Sequence, residues 1–443
     1  MQPVFRVANA LQVVLTTMAN QIAKSSGVIQ RERKFRGDSL AQTFVFGWLA
    51  NPQATLDELA QVAASCGAAV RPQAISQRMT DKLADFFKQL LEAALVQVIT
   101  VDPVSLPLLQ RFNGVYVQDS TVIRLPDEFR HDYPGCGGGI LGQTNAAIKF
   151  QVRMNLGDGQ LEGPFPEPGR ASDQSSDIQR LPLPPGALRL ADLGYFNLSV
   201  LSDMNRNDIY WISRIQVHTV VYDAKGRRLD LCRWLAKQKG TTVDVPIQLG
   251  SEERLPCRLI AVRCPAEVVR VRVARVKRDA ARRGRTPSKA QLDWCHWTIL
   301  VTNVPSKLLN VSEAITLYRA RWQIELLFKL WKQHGLVDES RQGKPHAQLA
   351  ELYAKLLGLV IQHWLLLVSV WRHSNRSLTK ASKAIRQRVT LLISAFRSYL
   401  TLESAIVQIV DSLAVSSRIN PRKKQPNTYQ TLENVELLAY EIS

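Results

Sequence analysis

The sequence predicts a mixed α/β protein, with a strand-rich centre set between helical N-terminal and C-terminal regions. Three observations carry that expectation. Residues 1–100 follow the 3.6-residue apolar period of packed helices. From about residue 112 the texture changes to short alternating or wholly apolar runs divided by Gly- and Pro-rich loops. Beyond the apolar run WTILVTNV at 297–304 the helical period returns and persists. At 443 residues the chain has length for roughly two to four domains, each with its own core.

Within the first region, Thr55-Leu-Asp-Glu58 is a capping-box start for the helix LDELAQVAA. A turn at Ser65-Cys-Gly67 follows, and Pro72 opens QAISQRMTDKLADFFKQLL as the next helix. That order suits a helix-turn-helix DNA reader, with Gln73, Gln77 and Arg78 toward a groove, and it equally describes two helices that merely pack together. Arg31, Arg33, Lys34 and Arg36 would meet phosphates if the region binds DNA.

In the centre, GVYVQDSTVIRL alternates as a strand that puts Val115, Val117, Asp119 and Thr121 on one face. A Gly-rich turn over Gly135–Gly142 leads to a second strand, AAIKFQVRMNL. Residues 157–186 read as loops with a short helix near Ser172–Arg180. ALRLADLGYF is a short strand ending at Asp192-Leu-Gly194, NLSVLSDMN a helix, and IYWISRI a strand carrying Arg214. TTVDVPIQL and CRLIAVRC are further strands. In VVRVRVARVKRDAARRGR the first half alternates as a strand and the second reads as a helix, with the boundary open. Its Arg270, Arg272, Arg275, Lys277, Arg278, Arg282 and Arg283 have few acids nearby, which makes a phosphate-tracking surface as reasonable as a solvated face.

The formal charge of +19 points to a polyanionic partner, most simply nucleic acid. Cysteines at 66, 136, 232, 257, 264 and 295 form no CxxC pair, so neither a disulfide framework nor a zinc site is expected. The N-terminus lacks a signal-peptide pattern. The run Leu356–Trp371, 16 residues interrupted by Gln362 and His363, is short for a membrane span and fits a buried helix. The expected protein is soluble, cytoplasmic and handles DNA or RNA.

The chemistry concentrates in YRARWQIELLFKLWK, where Tyr318, Arg321, Glu325 and Lys332 stand at offsets 0, 3, 7 and 14. At about 100° per residue they fall within about 60° of one another, a polar stripe beside an apolar face of Leu317, Ile324, Leu327, Phe328 and Trp331. An isolated amphipathic helix with i,i+4 Arg–Glu pairs would show the same stripe. Two further acids change the balance. Asp119 sits mid-strand among apolar residues, where an unpaired charge is costly. Asp192 ends an apolar strand before a glycine, a common place for α/β sites. Three carboxylates from separate elements would suit a two-metal site, with Arg321 as a fork and Lys332 as a point charge on phosphates.

Tyr318-x2-Arg321-x3-Glu325-x6-Lys332 resembles the Tyr–Arg–Glu–Lys signature of the IS-four family of DDE transposases, at all four positions. QDST, which contains Asp119, and ADLGYF, which contains Asp192, agree in order. WTILVTNVP resembles the segment that closes that family's inserted β-domain. The resemblance covers roughly residues 110–370; the four-residue signature is specific, whereas QDST and ADLGY alone are weak.

The resemblance implies an RNase H-like catalytic core interrupted by a β-rich insertion and flanked by helical regions. The divisions are 1–108 (helical, DNA-binding), 109–216 and 297–375 (core), 217–296 (insertion) and 376–443 (helical). It implies Asp119, Asp192 and Glu325 as catalytic and metal-ligating residues, Mg2+ as cofactor with Mn2+ able to substitute, and Tyr318, Arg321 and Lys332 as DNA contacts. Trp297 aligns with a tryptophan that stacks on a flipped base, although a strand-end core aromatic is the equal alternative and Trp294 a rival. Arg214 falls where the family often carries a DNA-facing strand arginine. Asp127 and Glu128, being outside the strand centre, are set aside as the first acid. The implied activity is metal-dependent cleavage at element ends and strand transfer by cut-and-paste through a DNA hairpin. The implied partners are terminal inverted repeats and target DNA, with a homodimer in the synaptic complex. A transposase-derived protein that binds DNA without cutting is the alternative. The tail with Arg422, Lys423 and Lys424 fits either protein or DNA contacts.

Overall fold

The structure, a computed structural model, describes residues 3–136, 145–396, 398–420 and 427–435. The expected turn at Gly135–Gly142 lies largely outside them, as do Arg422, Lys423 and Lys424.

A mixed α/β architecture is found, organised by one ten-stranded sheet. The strands are β1 (Val115–Arg124), β2 (Ala147–Asn155), β3 (Leu161–Pro168), β4 (Leu188–Ala191), β5 (Tyr210–Ser213), β6 (Val221–Asp223), β7 (Arg228–Leu229), β8 (Thr242–Leu249), β9 (Leu255–Arg263) and β10 (Trp297–Thr302). Their order across the sheet is β3-β2-β1-β4-β5-β10-β9-β8-β6-β7. β1, β2 and β3 form an antiparallel meander, while β4 and β5 join parallel to β1. β10 runs antiparallel to β5 on one side and to β9 on the other.

The strands expected to form an insertion therefore continue the central sheet through β10. β3 was expected to be loop. It carries Pro164, Pro166 and Pro168, which hide a strand in the sequence, and it lies at the sheet edge, where missing backbone donors are tolerated. The short helix expected near Ser172–Arg180 is two single 3₁₀ turns, Asp173–Ser175 and Asp177–Arg180. The run after Pro265 is helical from its start (Ala266–Arg282), so the open boundary resolves in favour of helix throughout.

The alternation of β1 holds. Val115, Val117 and Ile123 join the main core against the helices, which places Asp119 on that helical face. The same core unites β2, the N-terminal helices and the long helix Pro345–Ser369. A second core lies under β5, β8, β9 and β10. In the N-terminal region the Thr55 capping box forms: Thr55 Oγ1 accepts from Glu58 N at 3.2 Å, and Glu58 Oε2 accepts from Thr55 N at 2.7 Å. The helix from Pro72 stops at Ser76, and a second one begins at Asp81. Gln73 and Gln77 are exposed, but Arg78 donates to the Val28 carbonyl at 2.8 Å and is held within the protein.

Pro345–Ser369 is apolar and long enough to cross a membrane, yet 94% of its most apolar window is buried in the protein. Its buried polar residues bond within the protein through some of their atoms, while Gln362 Oε1 and His363 Nδ1 have no partner among the described residues. Lys355 pairs with Glu351 at 2.6 Å, and Gln362 donates to Ser382 at 3.0 Å. His363 Nε2 donates to the carbonyl of Gly159 at 2.7 Å. Gly159 turns the β2–β3 hairpin with φ +78°, and a Cβ there would strike the Trp371 ring. Glycine is thus required by both the dihedral and the close approach.

Burial pushes His363 down to about 4; the Gly159 carbonyl opposes this and the Arg376 charge adds to it. The folded protein holds the ring neutral, while the unfolded chain protonates it below about pH 6.5. Its contribution to stability is present above pH 6.5 and is lost as pH falls toward 4. Replacing His363 by Gln keeps a donor for Gly159. It should flatten the acid loss of stability across that window by about 1 kcal/mol per pH unit. Urea unfolding at stepped pH reads this directly, and parallel curves for the two proteins would exclude His363 from the acid response.

Candidate active site

Asp119 reaches the site from the middle of β1, and Asp192 from the residue after β4, the strand beside it. Because Gln118 pairs with Ala191 in that parallel ladder, the two acids stand one step further along neighbouring strands. The far face of the sheet is held by a polar layer. Asp173 accepts from Ser120 at 3.2 Å, Lys149 at 3.0 Å and Gln151 at 2.9 Å, and the Tyr195 hydroxyl donates to Gln151 at 2.5 Å. Arg189 donates to Gln179 at 2.7 Å and to Gln118 at 3.3 Å. These bonds tie the segment after β3, and the turn that follows Asp192, to β1 and β2.

The signature residues lie on a helical run with two irregularities that its sequence does not announce. Val311–Ala320 is followed, after Arg321, by Trp322–Lys329, and the run widens to a π turn at Leu330–His334. Asn310 starts it with a capping box to Glu313. Ile324, Leu327, Phe328 and Trp331 anchor it in the main core.

Arg321 sits between the acids. Its Nη1 donates to Asp119 Oδ2 at 3.1 Å and its Nη2 to Glu325 Oε1 at 2.8 Å. Burial acts to lower the guanidinium pKa, but Asp192, Tyr318, Asp119 and Glu325 together raise it. Asp119 is pushed up to about 6, first by burial; the Ser120 N–H and Arg321 oppose this, and the charges of Asp192 and Glu325 add to it. Tyr318 is pushed up to about 12, chiefly by burial. Its hydroxyl is buried, with no hydrogen bond of normal geometry.

A cleft of about 730 Å³ opens beside this cluster, lined by Asp192, Arg214, Tyr318 and Arg321 together with Arg263, Arg272, Arg319, Trp322, Thr298 and Thr428. Arg214, just past the end of β5, is exposed there. The structure thus gathers Asp119, Asp192, Tyr318, Arg321, Glu325 and Arg214 in one neighbourhood. Lys332 stands apart from the cleft lining, donating to the Val122 carbonyl of β1 at 3.0 Å.

Trp297 takes the core alternative. It is 5% exposed within the second core, with the Arg263 guanidinium 4.5 Å over its ring. Its rival Trp294 packs on the same core and points its Nε1 at Cys232 Sγ, 2.6 Å away. The tryptophan that lines the cleft is Trp322, 46% exposed. Arg319 and Trp322 flank Arg321 in the signature, and that position was the only signal for them in the sequence. Arg263 and Arg272 come from another part of the chain, and no local pattern tied them to the acids.

All-carboxylate oxygen donors suit a hard divalent cation. Among the described residues no three His, Cys, Asp or Glu side chains lie together in a set able to hold an ion. Between Asp119 and Glu325 lies the guanidinium of Arg321, bonded to both.

Comparison with known proteins identifies the family of the chain. The sequence matches the family described as "Transposase DDE domain" over residues 111–361, more than half of the chain and inclusive of every residue named above from Asp119 to Lys332. It is similar to the transposase for insertion sequence element IS231F of Bacillus thuringiensis subsp. israelensis, 28% identical over 77% of this chain and 75% of that one. The transposase for IS231D of B. thuringiensis subsp. finitimus is 26% identical over 96% and 94%. The transposase for IS1151 of Clostridium perfringens is 26% identical over 79% and 78%.

Because the Asp119 carboxyl titrates near 6 when folded, against about 3.9 in an unfolded chain, its ionised form weakens the metal-free protein above that pH. Asp119→Asn should therefore be more stable than the parent at pH 8 without metal, by on the order of 1 kcal/mol, and the difference should vanish below about pH 4. Thermal unfolding in EDTA measures it. A less stable Asp119→Asn protein at pH 8 would mean that the Arg321 fork outweighs the burial.

Proposed function

The chain belongs to the DDE transposase family, of the IS-four kind, and from that premise we propose that Asp119, Asp192 and Glu325 are its catalytic and metal-ligating acids. The single observation that supports this most is their collection around Arg321, from two strands and a helix far apart in sequence. Mg2+ is the proposed cofactor, with Mn2+ able to substitute. Bound there, such ions ready a water for attack on phosphorus and offset charge on the leaving oxygen.

The chain's own residues do the rest. Arg321, whose fork here holds Asp119 and Glu325, would present a two-pronged donor to phosphate oxygens if those acids held the cations instead. Tyr318 offers the hydroxyl that lacks a partner, and Arg214 adds charge from the wall of the cleft. Lys332, tethered to the end of β1, would reach a phosphate only by giving up the Val122 carbonyl. Water attack at the element end breaks one P–O bond and leaves a 3′-hydroxyl. That hydroxyl then attacks a second phosphodiester, exchanging one P–O bond for another. In the proposed cut-and-paste route the first such exchange is on the opposite strand, giving a hairpin. Base stacking at that hairpin would fall to Trp322 as the site stands, unless Trp297 leaves the core.

The antiparallel β1–β2–β3 meander with parallel β4 and β5 supports an RNase H-like core, and the strands from β6 to β9 support an insertion within it. The N-terminal helices, with exposed Arg31, Arg33, Lys34, Gln73 and Gln77, are proposed to bind DNA. The substrates are terminal inverted repeats and target DNA, the working form a homodimer on two ends, and the place of action the bacterial cytoplasm at the nucleoid.

A labelled duplex bearing the element's terminal repeat tests the proposal. Wild-type protein with Mg2+ should nick it and free a 3′-hydroxyl. Asp119→Asn, Asp192→Asn and Glu325→Gln should each cut roughly 10²–10³-fold more slowly while still shifting the DNA on a gel. Cutting that survives any one change removes that acid from the mechanism.

A further inference from the structure

The helix Ala266–Arg282 has no buried residue, a rarity for 17 ordered residues in a protein with two large cores. Its inner face is thin. Val269, Arg272, Val273, Val276 and Ala280 are half-buried, at helical spacing on one side. Arg272 fixes the helix to β10, donating to the Trp297 carbonyl at 3.1 Å and to Thr298 Oγ1 at 2.9 Å. Pro265, Val268 and Arg272 also line the cleft, so the start of the helix is one of its walls and the remainder lies outside the lining.

The outer face is a different surface. At about 100° per residue, Arg270, Arg275, Lys277, Arg278 and Arg282 spread over an arc of about 160° turned away from the protein. Arg275 is 3.9 Å from Asp279. Among the described residues Arg270, Lys277, Arg278 and Arg282 have no acidic partner, and all four are exposed. Such a row repels itself at low salt. A polyanion lying along the helix would relieve that repulsion.

We propose that this basic face grips the phosphate backbone of a duplex stretch beyond the one held in the cleft. It is a second, sequence-independent contact, continuous with the first through the shared wall at Pro265–Arg272. The inference rests on the reading of the cleft as the place where a DNA end is cut. A 17-residue helix is about 25 Å long, enough to follow about 7 base pairs. Charge complementarity commits the occupant to nucleic-acid backbone, and continuity with the cleft commits it to the same duplex.

The test compares the full chain with the variant R270Q/K277Q/R278Q/R282Q, in which glutamine keeps helix propensity. Affinity is measured against salt on a short duplex that fills only the cleft, and on duplexes extended by about 10 base pairs at either end. Wild type should show a steeper slope of log Kd against log salt on one extended duplex than on the short one, by about 3–4 for four phosphate contacts. The variant should lose that difference, keep the short-duplex affinity and keep its circular dichroism. Equal slopes for the two proteins on every extended duplex would overturn the proposal, and would leave the face to an acidic protein or to solvent. An equal loss on the short duplex would also overturn it, by placing the helix within the cleft contact. Mg2+-dependent nicking of the short duplex is scored alongside. If wild type fails to nick, the catalytic reading falls, while the slopes still decide the role of the helix.

Discussion

One guanidinium makes the arrangement of acids possible. Asp119, Asp192 and Glu325 approach one another in a partly buried place, where like charges repel strongly and each carboxylate loses hydration. Arg321 answers both costs at once, since its fork reaches a strand acid and a helix acid with separate N–H groups. Burial raises the pKa of the Asp119 carboxyl by more than the Ser120 N–H and the Arg321 charge lower it.

The scaffold supplies precision from both sides of the sheet. On the helical side, apolar anchors from Ile324 to Trp331 set the height of the signature run over β1. On the reverse side, the Asp173, Lys149 and Gln151 network fixes the turn that carries Asp192. A buried polar layer is a costly way to hold a loop compared with apolar packing, but its bonds are directional. The acids thus sit on rigid elements, and the exposed arginines that surround them occupy strand ends and helix faces.

Legibility in the sequence followed locality. The Thr55–Glu58 capping box was readable because both partners lie within one turn. The mid-strand place of Asp119 was readable because a charge interrupts an apolar strand. The burial of Leu356–Trp371 was expected from a short run, although the helix that holds most of it, Pro345–Ser369, is long enough to cross a membrane. The losses were all long-range or two-valued. Prolines concealed β3, since only its edge position makes them harmless. Val269, Val271 and Val273 alternate as in a strand, and only Val276 and Ala280 betray the helical face. The role of Arg321 as a tether to β1, the burial of Trp297 and the slip at Leu330–His334 depend on partners far away in the chain. No pattern on its own segment could announce them.

β10 is hydrogen-bonded on both sides, to β5 and to β9. Asp119, Asp192, Arg214 and Arg263 are consequently carried by, or lie next to the ends of, strands of one continuous sheet. The separation of the acids from Arg263 is therefore set in steps of the strand-to-strand spacing.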